Sequence, residues 1–165
     1  MQFGQITKIN SDDTDGAWYC HRCTRENAVI HYLGAHPFVQ MRCGQCNHVA
    51  CTDCYMTSIL TPINPDILGP APGNKYRIAD IVPGHESYGS ICPNCGITHR
   101  AQAVWTRAHF WNSKKPTHIQ FQEDCECGMS EDERQWTYFH IGSNKKWRLQ
   151  REQCYMEAVE HRIKK

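Results

Sequence analysis

The stretch that decides the fold is Trp18-Tyr19-Cys20-His21-Arg22-Cys23, followed by Cys43-Gly44-Gln45-Cys46-Asn47-His48-Val49-Ala50-Cys51-Thr52-Asp53-Cys54. It carries three C-x-x-C pairs. Two residues between two cysteines let a tight turn aim both sulfurs at one point about 2.3 Å away, which is half of a tetrahedral zinc site. The motif returns as Cys92-Pro93-Asn94-Cys95-Gly96, and in a shortened C-x-C form as Cys125-Glu126-Cys127-Gly128. All but one of the 11 cysteines are thus paired along the chain, and Cys154 stands alone. Adjacent pairs and an odd count argue against a disulfide framework, because the sulfurs of one C-x-x-C join each other only under strain. A thioredoxin-like redox site would carry one such pair beside a βαβ pattern, not four.

Composition points the same way. Across 165 residues, 18 Lys+Arg face 17 Asp+Glu, a formal net charge of +1. That excludes a strongly basic nucleic-acid arm and a strongly acidic solvating chain. Mean hydropathy is −0.64, and no apolar run approaches the roughly 18 residues of a membrane span, so no membrane partner is expected. Residues 1–16 lack the apolar run of a secretory signal peptide. An intracellular setting, cytoplasm or nucleus, is therefore expected, and there thiols stay reduced. Only 40% of the chain is hydrophobic even with cysteine counted. Burial alone would hold it together poorly, whereas a zinc site in a small finger contributes on the order of 10–16 kcal/mol of apparent binding energy.

The chain divides on paper into a flexible tail (1–16), a first zinc module (17–60), a Pro/Gly-rich linker (61–88), a second zinc ribbon (89–128) and a C-terminal helical segment (129–165). In the first module Ala28–Leu33 and Phe38–Arg42 read as strands joined by Gly34-Ala35-His36-Pro37. Tyr76–Val82 is a candidate edge strand, and Ala101–Phe110 and His118–Glu123 a candidate pair around Asn112–Pro116. Ser130 and Glu133 resemble a capping box. Asn144 to about Arg162 reads as one helix, with Trp147, Cys154, Tyr155, Ala158 and Arg162 near one face, expected to pack on the second module. Cys154 reads as a small buried hydrophobe. The expected fold class is a small zinc-stabilised α+β protein: two ribbon-like modules of short antiparallel strands and a C-terminal helix.

The first module offers seven candidate metal ligands, Cys20, Cys23, Cys43, Cys46, His48, Cys51 and Cys54, too many for one ion. Cys20 and Cys23 pair either with Cys43 and Cys46, as in a ribbon, or with Cys51 and Cys54, as in a cross-brace. His48 reads equally as ligand or as loop histidine. In the second module Cys92 and Cys95 are matched with Cys125 and Cys127; His109, His118 and Asp124 are the fallback ligands. The glycine after C-P-x-C permits the positive φ that turns backbone N–H groups back toward the sulfurs. Two zinc ions are expected. Four protein ligands leave no position for water or substrate, so both read as structural.

The series W-x-C-x-x-C, C-x-x-C-x-H-x-x-C-x-x-C, C-P-x-C-G and C-x-C-G, from Trp18 to Gly128, resembles the fungal proteins described as probable double zinc-ribbon proteins. The resemblance implies two stacked ribbons and a non-enzymatic role. Cys20, Cys23, Cys46, His48, Cys51, Cys54, Cys92 and Cys95 also resemble a RING finger, which would make the chain a ubiquitin ligase. Yet Arg22 stands where such ligases place an apolar residue and Gly96 where they place a basic one, and Cys43, Cys125 and Cys127 are left over. A FYVE-like cross-brace lacks its basic run at Phe38–Arg42. Trp18-x-Cys20-x-x-Cys23-x-x-x-Asn27 resembles the opening of Trp-led fingers that bind RNA or ubiquitin, but the next pair comes too late.

No H-x-E with P-C-x-x-C, H-E-x-x-H, G-x-S-x-G or P-loop is present, so no catalytic site is expected. Lys145, Lys146, Arg148 and Arg151 form the densest basic cluster, with Lys114 and Lys115 near Trp111. They carry the alternative of a nucleic-acid-binding ribbon protein. The leading expectation is a zinc-binding interaction module with a protein partner.

Overall fold

The computed structural model describes residues 14–63, 75–77, 87–104, 118–122, 124–129 and 136–164. Among them the elements run β1 (Gly16–Tyr19), β2 (Glu26–Val29), β3 (Tyr55–Met56), β4 (Leu60–Pro62), β5 (Lys75–Arg77), β6 (Tyr88–Ile91), β7 (Thr98–Arg100), β8 (Gln102–Val104), β9 (His118–Gln120), β10 (Thr137–Ile141), α1 (Lys145–Leu149) and α2 (Arg151–Ile163). They form three antiparallel sheets, ordered β2-β1-β3, β4-β10-β6-β7 and β5-β9-β8. The expected α+β class of short antiparallel strands with C-terminal helix is what the chain adopts.

Several expectations are corrected. The strand 26–29 pairs with β1 across the first cysteine turn, not with 38–42. Residues 38–42 make single bridges instead, Gln40 to Ile97 and Arg42 to Val49. The reason is proximity: the turn at Cys20–Cys23 already brings residues 16–19 and 26–29 side by side. Residues 14–16 are no tail, since Asp15 is fully buried and accepts hydrogen bonds from the His31 N–H (2.9 Å) and the Asn144 amide (2.8 Å). The linker also contributes structure, because β4 reaches Pro62 and pairs with β10. In the candidate strands only 75–77, 102–104 and 118–120 are described as strand; the capping box, 1–13 and 105–117 lie outside the described residues.

The largest correction concerns the helix. It is two helices, broken at Gln150 (φ −139°, ψ 51°). They pack on the first module. Strand alternation sends Ala17 and Tyr19 to one face of β1, where Trp147, Cys154 and Ala158 cover them. Tyr155 and Arg162, placed on the buried stripe by periodicity, are exposed. At about 100° per residue both lie well round the helix from Cys154, whereas Ala158 lies only about 40° away, and Tyr19 stays close enough to meet the Tyr155 ring edge-on at 6.4 Å.

The two modules share a core. Trp18, Phe38, Met41, Leu60, Ile91 and Phe139 form one buried cluster. Strand β10 lies between β4 of the first module and β6 of the second. Phe139 sits opposite Gly89, where an added Cβ would fall 2.6 Å from the Phe139 ring. The glycine is needed there because the ring lies on its backbone. Residues 32–42 also strap the second module's first turn: Met41 N–H donates to Gly96 O (2.7 Å), Gln40 Nε2 to Cys95 O (2.6 Å) and Arg42 Nη2 to Asn94 O (2.7 Å).

Candidate metal centres

Four of the five cysteine pairs build the same turn. The residue after the second cysteine is left-handed in each: Thr24 (φ 67°), Asn47 (66°), Gly96 (82°) and Gly128 (92°). Its N–H donates back to the first cysteine's carbonyl, Thr24 to Cys20 and Gly128 to Cys125 at 2.9 Å, Asn47 to Cys43 at 3.0 Å and Gly96 to Cys92 at 2.9 Å. The first cysteine's own N–H closes the loop onto Arg25, His48, Ile97 and Met129 carbonyls. The C-x-C pair thus reaches the same geometry with one residue fewer.

The turns meet in twos. Cys20 Sγ lies 3.6 Å from Cys46 Sγ, and Cys23 Sγ 3.4 Å from Cys43 Sγ. In the second module Cys92 Sγ lies 3.6 Å from Cys127 Sγ, and Cys95 Sγ 3.5 Å from Cys125 Sγ. Sulfurs each about 2.3 Å from one tetrahedral ion sit about 3.8 Å apart, so both thiol sets have the spacing for zinc. Within each set every sulfur is within 4.8 Å of the others. The ribbon pairing is the one present; the cross-brace pairing of Cys20 and Cys23 with Cys51 and Cys54 is not. That also removes the interleaved ligand order of the RING and FYVE-like arrangements.

The probable double zinc ribbon domain family matches residues 16–156, well over half of the chain. The chain belongs to this family. No curated protein and no solved structure matches it. This double zinc ribbon protein is a structural zinc-binding protein, and its two four-cysteine groups are the sites the fold builds for Zn2+.

Electrostatics around the ribbon thiols is uneven. Burial pushes Cys20 up to about 12 and Cys95 up to about 11, and raises Cys125 as well. Cys43 is buried too, but N–H groups of Cys46 and Gln45 overcome that and hold it down to about 6. At Cys127 burial is again the largest single influence, but the Asn94 amide 3.5 Å from the sulfur, the Met129 N–H and the neighbouring Cys92 and Cys95 together outweigh it and bring the thiol to about 7. Each set thus contains a sulfur poised as thiolate, the form that binds metal.

Sequence reasoning missed two histidines. His99 is buried, with Nε2 3.3 Å from Cys125 Sγ. Beside it His36 bonds through Nδ1 to Thr98 O (2.8 Å) and faces Glu126 across 3.5 Å. His99 can orient a ligand sulfur in the way ligand-supporting groups do; only its place just beyond the C-P-x-C-G turn hinted at it. The other is His21, inside the Cys20–Cys23 turn, which joins His48, Cys51 and Cys54 in a separate group. Of the fallback ligands, Asp124 is exposed and outside the thiol set, His109 lies outside the described residues, and His118 falls on β9.

Proposed function

We propose that this chain is a non-catalytic binding module: one zinc on Cys20, Cys23, Cys43 and Cys46, another on Cys92, Cys95, Cys125 and Cys127, and the outer face of the C-terminal helices offered to a protein partner. The observation that carries the reading is that face. Leu149 (82% exposed), Ile163 (77%), Met156 (54%) and Tyr155 (52%) stand in solvent, and Tyr155 and Met156 line a cleft with Tyr19 and Trp147. Exposed apolar side chains beside an aromatic cleft, as Tyr155 and Met156 are, mark interaction surfaces. Closed thiol shells support a structural role for the metals, since a catalytic zinc keeps an open position.

The basic cluster gives less support to nucleic acid. Lys146 is paired with Glu157, Arg151 lies 4.9 Å over the Trp147 ring, and Trp147 is buried with its indole N–H on Thr14 Oγ1. Trp147, the aromatic residue within that cluster, thus has no free ring face for a base to stack on. The ribbon pairing likewise offers nothing to the ubiquitin-ligase alternative. A reducing, intracellular setting fits eleven free cysteines; among the described residues no helix is long and apolar enough to cross a membrane.

The test places a photo-crosslinking residue at Met156. A discrete protein adduct that disappears with Tyr155→Asp, in a variant that keeps its zinc and its circular dichroism, is expected. Salt-dependent nucleic-acid binding lost on Lys145→Glu/Lys146→Glu would overturn the reading. So would autoubiquitination that Cys51→Ser abolishes.

A further inference from the structure

Cys51 and Cys54 are the pair the ribbons leave over. Their turn differs from the other four: Cys54 N–H donates to Cys51 O at 3.0 Å, and Tyr55 follows directly as β3 with no left-handed residue between. The two sulfurs nevertheless sit 4.0 Å apart on one side of the turn. His48 Nε2 lies 3.5 Å from Cys51 Sγ. His21, though exposed, turns its ring inward and meets the His48 ring edge-on at 4.7 Å and 84°. One ligand atom from each of the four lies within 4.8 Å of all the others.

Those spacings suit an ion. Sulfur at about 2.3 Å and imidazole nitrogen at about 2.0–2.1 Å from one tetrahedral centre sit about 3.5 Å apart, and two sulfurs about 3.8 Å apart. Two thiolates with two imidazoles are a borderline-soft, four-coordinate set, which selects Zn2+ over oxygen-seeking cations. We infer that His21, His48, Cys51 and Cys54 form a third metal site, a zinc centre of two thiolates and two imidazoles laced to the first ribbon. Two of its ligands sit next to ribbon turns: His21 follows Cys20, and His48 lies two residues after Cys46. The other two lead into β3. The site therefore ties the first ribbon to the strand on which α2 rests, where His161 Nε2 contacts Asp53 O at 3.1 Å and Tyr55 O–H donates to Glu157 at 2.7 Å. Its ligands are distinct from the eight ribbon thiols, so its failure would leave the two-ribbon reading standing.

Native mass spectrometry of the full chain, purified reduced from zinc-replete medium without chelator, decides it. Three zinc ions per wild-type chain are expected, and two in His21→Ala/His48→Ala. Two ions in wild type, three in the double variant, or a Cys51–Cys54 disulfide in the reduced preparation would overturn the assignment. Should the double variant fail to fold, cobalt(II) exchanged into wild type gives the answer without it. Ligand-field bands of an ion with mixed sulfur and nitrogen ligands, beside those of all-sulfur ions, support the site; all-sulfur bands alone refute it.

Discussion

Replacing Phe139 with alanine should destabilise both ribbons together. The side chain is fully buried and sits on β10, the strand that joins the first module's β4 to the second module's β6. Its ring rests on Gly89 and meets the Phe38 ring at 5.7 Å. Buried Phe→Ala changes cost about 3–5 kcal/mol, more where the walls cannot collapse. Here they cannot: β10 is hydrogen-bonded on both sides, and residues 39–42 are pinned to the second module's cysteine turn. A loss of about 4 kcal/mol is expected, which for a chain of this size lowers Tm by about 8–16 °C. Denaturation in a buffer of fixed free zinc is the assay, because bound metal adds its own free energy to the apparent stability. The zinc content of the folded variant should not change. Hydrogen exchange should show β1 and β7 losing protection by the same factor. A loss under about 1 kcal/mol, or lost protection confined to one module, would refute the shared core.

Two further outcomes rest on polar groups. Asp15→Ala strands the His31 N–H and the Asn144 amide without their acceptor and should cost about 1–3 kcal/mol in the same denaturation assay; an unchanged midpoint would show that residues 14–16 are not part of the folded unit. Glu157 is held down to about 2 from 4.5, first by Lys146 and then by Tyr55. A carboxyl depressed on folding contributes stability above its unfolded pKa and loses it as pH falls through the folded one. The difference between wild type and Glu157→Gln should therefore be about 1 kcal/mol or less for so solvent-accessible a pair, flat from about pH 8 to about pH 5.5, and shrinking only below about pH 4.5. Thermal melts across that range check it; a difference that varies near neutral pH contradicts the assignment.

Metal chemistry was legible in the sequence because it is local. C-x-x-C and C-x-C turns are set by the residues inside and just after them, and glycine after Cys95 and Cys127 announces the left-handed position outright. Thr24 and Asn47 occupy that position without announcing it. Which turn faces which was open in the first module, because that depends on strands 16–19 and 26–29 lying side by side and on residues 38–42 being drawn to Ile97 rather than folded back on 28–33. Periodicity likewise gave the helices a buried face, Trp147, Cys154 and Ala158, but not the surface beneath it. A stripe of apolar residues specifies only that something must cover it. Ala17 and Tyr19 do so, because strand alternation turns them away from Trp18 and the shared core, and Asp15 holds Asn144 at the helical entrance. His21 joined Cys51 and Cys54 by the same route. Residues 30 or more apart meet only when the chain between them has folded, so the number and identity of the metal groups belong to the tertiary structure, while the demand for metal belongs to the sequence.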